Sequence, residues 1–342
     1  MRAAVMYGAG DVRVEERPDP RIVQPTDAVV RTVLSCVCGS DLWPYRSMPA
    51  GDTGRPMGHE FLGVVEETGT DVPGLKPGDL VVAPFTYSDG TCDYCARGLH
   101  FSCRDGGRYG SDGVDGGQGE AVRVPHAAGT LVKLPVSADS ALLPSLLALS
   151  DVMATGHHGA VTAGVGRGDT VLVVGDGAVG LCAVIAARRL GAERVVLAGR
   201  HEARTALGRE FGASDVVAER GEEGVARIRE LTGGVDKVIE AVGTRPALDT
   251  ALGAVLDGGT ISRLGVPQYE QAPFGRAEFL RNITLTGGAC PARAYIGQLL
   301  PDVLDGTIDP GRVFDRCFTL GQVPEAYRAM DGRQVIKALI RP

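Results

Sequence analysis

Thr170-Val171-Leu172-Val173-Val174, followed at once by Gly175-Asp176-Gly177-Ala178-Val179-Gly180, is the stretch on which the fold turns. An unbroken apolar run of this length reads as a strand buried on both faces. The glycines behind it let the chain turn tightly and bring main chain close to a pyrophosphate. The helix that follows offers that anion free N–H groups and the positive end of its dipole. A lone G-x-G-x-x-G is a weak signal. Its place between a buried strand and the helical run Leu181–Leu190 makes it specific for dinucleotide binding.

The alternation continues downstream. Arg194–Ala198 reads as a strand, Glu202–Phe211 as a helix stopped by Gly212, and Asp215–Ala218 as a strand. A helix from near Gly224 to Thr232, a strand Val235–Glu240 and a helix Leu248–Leu256 follow. Alternating elements of this length predict an α/β domain with a doubly wound parallel sheet over residues 151–290. The end of the second strand chooses the cofactor. NAD binders place Asp or Glu there for the ribose 2′-hydroxyl, whereas this chain has Gly199-Arg200-His201. With no carboxylate to repel a 2′-phosphate and with Arg200 able to pair with it, the charge favours NADP(H). The alternative keeps Arg200 as a solvated surface charge and gives the hydroxyl contact to Glu202.

Upstream the character differs. Short β-rich runs, Val29–Leu34, Phe61–Glu67, Leu80–Ala83 and Val122–Val124, alternate with Gly, Pro and Asp turns. They predict a partly open barrel or sandwich over residues 1–150. Two motifs there carry chemistry, Cys38-Gly39-Ser40-Asp41 and Gly58-His59-Glu60. Alone, the first is ordinarily a small buried hydrophobe and the second a turn. About twenty residues apart, and ahead of Asp151 in Leu149-Ser150-Asp151-Val152, they read as a metal site. Asp89, Cys92, Cys95 and Cys103 form a second candidate, a closed structural zinc lobe; the alternative is a lobe of three free thiols. Cys36, Cys182, Cys290 and Cys317 are expected as buried apolar residues. Residues 104–119 read as loop, and Trp43, Phe85 and Tyr109 stand with Ser40 as candidate pocket residues.

The tail supplies strand-like Phe314–Leu320, helical Val323–Met330 and a closing strand near Val335–Ile340, expected to return to the first domain as residues 291–342. Of 342 residues, 44% are hydrophobic and 23% charged, enough for two cores. A net charge of −7, without blocks of one sign, argues against nucleic acid or a membrane as partner. The N-terminus runs straight into a strand-like pattern, so a cytoplasmic location is expected.

Assembled in order along the chain, these motifs resemble the zinc-containing branch of the medium-chain dehydrogenase/reductase superfamily, the alcohol and polyol dehydrogenases. The resemblance implies a Rossmann domain beside a GroES-like catalytic domain, and a homodimer or homotetramer. It implies Cys38, His59 and Asp151 as catalytic zinc ligands, Glu60 as an exchanging ligand, Asp41 as the carboxylate orienting His59, and Ser40 as the hydroxyl taking the substrate proton. Gly175, Asp176, Gly177, Ala178, Val179, Gly180, Gly199, Arg200 and His201 would hold the cofactor. Two departures stand out: Asp89 replaces the first of four lobe cysteines, and Trp43 replaces the histidine that ends a proton relay in relatives. The implied reaction is hydride transfer between NADP(H) and a secondary alcohol or polyol, or the matching ketone or aldehyde. A non-redox zinc lyase and a silent NADPH-binding protein are the alternatives on the same scaffold.

Overall fold

The computed structural model describes residues 1–111 and 113–342. The chain divides into two compact units, Met1–Asp151 with Pro291–Pro342, and Val152–Cys290.

In the second unit six parallel strands form one sheet, in the order Asp215–Val217, Arg194–Ala198, Thr170–Val174, Val235–Glu240, Val255–Arg263, Thr284–Gly287. Counted along this unit, the order is 3-2-1-4-5-6, that of the doubly wound dinucleotide fold. Its direction reverses at Thr170–Val174, which is where such sheets open a crevice. Leu172, Val196 and Val238, from the three central strands, are fully buried in one cluster with Leu248 and Ile261. Burial on both faces explains why the sequence shows unbroken apolar runs rather than alternation.

The first unit is β-rich. Its main sheet runs Val132–Lys133, Leu80–Ala83, Phe61–Thr68, Ala28–Cys36, Lys337–Arg341, Phe314–Thr319, with Ala121–Val124 also pairing Ala28–Cys36. The tail strand Lys337–Arg341 lies antiparallel to Ala28–Cys36, with Leu339 opposite Cys36 and Ile340 opposite Ser35. Tyr327, fully buried on the helix Val323–Asp331, donates from its hydroxyl to Gln118 Oε1 at 3.1 Å. Gln118 in turn donates to the Cys36 carbonyl at 3.0 Å, so the tail is tied to the strand that leads to Cys38.

Three expectations are corrected. Tyr109 is not a pocket residue: it is 3% exposed, with its ring 4.9 Å from Phe61 and 5.8 Å from Tyr87 in the barrel core. Cys317 is exposed, not buried, because it lies on the edge strand Phe314–Thr319, of which only Phe318 is buried. The stretch 104–119 is not all loop, since Gly107–Arg108 pairs with Thr86–Tyr87; position 112 within it lies outside the described residues. Among the described residues no helix is long and apolar enough to cross a membrane.

Candidate active site and metal centres

Cys38 leaves the strand Ala28–Cys36 and caps the single turn Gly39–Asp41. Its sulfur accepts from the Ser40 N–H at 3.5 Å, and its own N–H donates to Asp41 Oδ2 at 3.1 Å. This reciprocal cap fixes the thiol and the carboxylate relative to each other. His59 precedes the strand Phe61–Thr68. The chain reaches it through Gly58 at φ +97°, where a side chain would meet Gln118 N at 2.5 Å. Asp151 closes the first unit, just after Ser150, whose carbonyl accepts from the Phe85 N–H at 3.0 Å.

The three side chains converge. Asp151 Oδ2 lies 3.5 Å from Cys38 Sγ and 3.8 Å from His59 Nε2. One donor atom from each of Cys38, His59, Glu60 and Asp151 lies within 4.8 Å of the others. Tetrahedral zinc bonds of about 2.0–2.3 Å place ligand atoms about 3.3–3.8 Å apart, so a thiolate, an imidazole and a carboxylate here fit that ion. His59 Nδ1 faces Asp41 Oδ1 at 3.5 Å, leaving Nε2 toward the other donors. The electrostatics agree. Burial, then the charges of Asp151 and Glu60, push the Cys38 thiol up. Burial works against a charged His59 ring, but Asp41 and Cys38 outweigh it and raise the ring well above its ordinary value. A metal ion bound here would compete with protons for these ligand atoms.

Glu60 is fully buried and paired. Its Oε1 accepts from Lys337 Nζ at 2.6 Å, and Lys337 also donates to the Val37 carbonyl at 3.2 Å. Glu60 Oε2 has no hydrogen-bond partner. Ser40 Oγ donates to Cys38 Sγ at 3.2 Å and Ser40 is solvent-exposed. The Phe85 ring lies 6.4 Å from that of His59, with Phe101 at 6.0 Å beyond it. Trp43 is half-buried beneath the Arg46 guanidinium.

The second cluster is complete as well. Donor atoms of Asp89, Cys92, Cys95 and Cys103 all lie within 4.8 Å of one another. Asp89 Oδ1 accepts from the N–H groups of Thr91 at 2.7 Å and Cys92 at 3.0 Å. Burial opposes the Asp89 charge, but these main-chain donors outweigh it and hold the carboxyl well below the usual range. An ionised carboxylate beside three thiols is a four-donor set without a free position.

In the second unit Gly175 has φ +115°, and a side chain on Gly180 would meet the Gly175 carbonyl at 1.9 Å. Both glycines are therefore required by the loop's shape, and Gly177 caps the helix Ala178–Arg189. Asp176 reaches across to the next strand end. Its Oδ2 accepts from the N–H groups of Arg200 and His201, each at 2.9 Å, and lies 2.8 Å from His201 Nδ1.

Comparison with known proteins follows the same division. The model of the alcohol dehydrogenase GroES-like domain matches residues 24–136, and that of the zinc-binding dehydrogenases matches residues 178–304. The zinc-type alcohol dehydrogenase B of Aspergillus flavus is 35% identical over 100% of this chain and 81% of its own length. The chain belongs to the zinc-type alcohol dehydrogenases of the medium-chain dehydrogenase/reductase superfamily. The alcohol dehydrogenase of Thermus sp. ATN1 superposes on this dehydrogenase with a TM-score of 0.92 at 34% identity, covering 100% of both chains. A zinc-binding dehydrogenase of Sinorhizobium meliloti 1021, solved bound to NADP, superposes at 0.83 with 27% identity, covering 100% of this chain and 99% of the other. Family membership makes this dehydrogenase a zinc-dependent oxidoreductase acting on alcohols with a nicotinamide cofactor.

Sequence reading missed two features of this dehydrogenase. Lys337 was visible only as a lysine inside the apolar run Val335–Ile340, an anomaly that marks a buried cation. The grip of Asp176 on His201 left no signal beyond an acid in a glycine loop.

Proposed function

We propose that this dehydrogenase transfers hydride between NADP(H) and a secondary alcohol or polyol, or the matching ketone or aldehyde. The observation that carries the reading is the convergence of Cys38, His59 and Asp151. Residues 1–150, completed by 291–342, form the catalytic domain in this reading, and 151–290 the nucleotide domain. Cys38, His59 and Asp151 would hold a zinc ion supplying Lewis acidity, and the glycine-rich loop a nicotinamide cofactor supplying hydride chemistry.

The chain's own residues do the rest. Asp41 orients the His59 ring through Nδ1. Ser40 Oγ takes the alcohol proton, a general-base step worth about 10²–10⁴-fold. Glu60 keeps an unsatisfied oxygen beside the cluster and serves as an exchanging ligand. Asp89, Cys92, Cys95 and Cys103 hold a structural zinc. Gly175 to Gly180 receive the pyrophosphate on the helix N-terminus. Arg200, exposed and without an ion pair among the described residues, supports recognition of a 2′-phosphate. Phe279 and Leu280, 77% and 65% exposed, support self-association as a homodimer or homotetramer.

The test is a screen of alcohols and carbonyls with NADP(H) and with NAD(H), following absorbance at the reduced-nicotinamide band, with zinc counted in the same preparation. Two zinc ions per chain and NADP-linked turnover of a secondary alcohol are expected. Turnover of substrate without change in the nicotinamide band marks a lyase and overturns the reading.

A further inference from the structure

In most dinucleotide binders the acid that meets the adenosine ribose stands at the end of the second strand. In this chain that position is Gly199, and the space beside it is filled. A side-chain carbon built on Gly199 would lie 2.5 Å from the Asp176 Cβ and 3.0 Å from its carboxyl carbon. No real pair of carbons approaches that closely, so Gly199 cannot carry a side chain while Asp176 keeps its place.

Asp176 is also spent on the protein itself. Its Oδ2 takes two main-chain N–H groups, those of Arg200 and His201, and contacts the His201 ring. Its Oδ1 lies 4.0 Å from the Arg204 guanidinium. The side chain is only 11% exposed. Burial disfavours the charge, yet the hydrogen bonds from His201 prevail and keep the carboxyl ionised. All three of these donors fall on Oδ2, so the carboxylate is anchored against residues 200 and 201. Arg200 meanwhile stays exposed.

We propose that Asp176 and Gly199 form a single specificity determinant for the adenosine ribose. The carboxylate is supplied from the glycine-rich loop rather than from the strand end. It is turned inward onto residues 200 and 201, and the outward face offers the Arg200 guanidinium to a ribose 2′-phosphate. Asp176 is a positioning residue in this arrangement. The proposal rests on the NADP reading above for its direction, and on the clash at Gly199 for the coupling.

Four proteins test it: wild type, Gly199→Asp, Asp176→Gly, and the double variant. Dissociation constants for NADP and NAD are read by quenching of protein fluorescence, and thermal midpoints are taken without cofactor. Gly199→Asp alone should lower the midpoint and weaken both dinucleotides. Asp176→Gly should keep the fold and narrow the NADP-to-NAD preference about tenfold, the worth of one or two hydrogen bonds. The double variant should regain the midpoint and bind NAD more tightly than NADP, because the acid now stands at the strand end. If Gly199→Asp folds normally and switches preference unaided, or if the second change fails to rescue the first, the coupling is overturned. A wild-type preference for NAD with the rescue intact sinks the NADP reading and leaves the coupling standing.

Discussion

Lys337 Nζ lies 2.6 Å from Glu60 Oε1, with 1% and 0% of the two side chains exposed. A closed ion pair of this kind is weak evidence for stability, since desolvation offsets attraction. Removing one partner alone leaves a buried charge uncompensated. Lys337→Met should therefore cost about 3–5 kcal/mol in denaturant unfolding. Glu60→Gln with Lys337→Met should lose less than the single change. A Lys337→Met protein as stable as wild type would show that Glu60 is held neutral.

Cys38→Ala or Asp151→Ala should release one zinc per chain and abolish turnover, while the second metal stays. Elemental analysis beside activity assays checks both. Full activity in either variant would remove that residue from the site.

For the lobe, Asp89→Cys should hold zinc more tightly, because thiolate is the softer ligand. Release to a chelator should slow relative to wild type. Cys95→Ser, at a buried position of the same cluster, should release the metal and lower the thermal midpoint. Equal release rates in all three proteins would argue against a metal in this lobe.

Arg200→Ala should lower kcat/KM with NADP by roughly tenfold or more, the worth of a charged hydrogen bond, and leave NAD little changed. Equal losses with both cofactors would assign Arg200 to the fold instead.

A pH effect belongs to Asp79. The Lys133 ammonium at 2.6 Å and the Lys76 N–H at 3.1 Å hold its carboxyl below the ordinary value. A group depressed in the folded state stabilises above its unfolded pKa, and that contribution is lost as pH falls through the folded value. The stability gap between wild type and Asp79→Asn should be full near neutral pH and close below about pH 4. A gap that persists unchanged at pH 2 would assign it to packing.

The nucleotide unit was legible because its central strands are buried in apolar runs and glycines punctuate many of its turns. Thr170–Val174, Arg194–Ala198 and Val235–Glu240 have the bounds that the apolar runs predict. The cysteine spacing announced the lobe for the same local reason. What the sequence hid is what comes together from afar. Glu60 and Lys337 are 277 positions apart, and no local pattern couples them. Tyr109 looked like a pocket residue because it is one of two bulky side chains in a stretch read as loop, yet the ring faces Phe61. Cys317 was misjudged because its strand lies at the sheet edge, where only Phe318 is buried.

The pairing of Lys337–Arg341 with Ala28–Cys36 sets a timetable for synthesis. Val37 and Lys337 are 300 positions apart. A ribosome adding roughly 5–20 residues per second needs about 15–60 s to deliver the second after the first. For that interval the Leu339 and Ile340 partners of the nascent barrel are missing, and its open edge is a place where a neighbouring chain can pair. Chaperone occupancy of this dehydrogenase should be greatest in that window and end when the closing strand emerges.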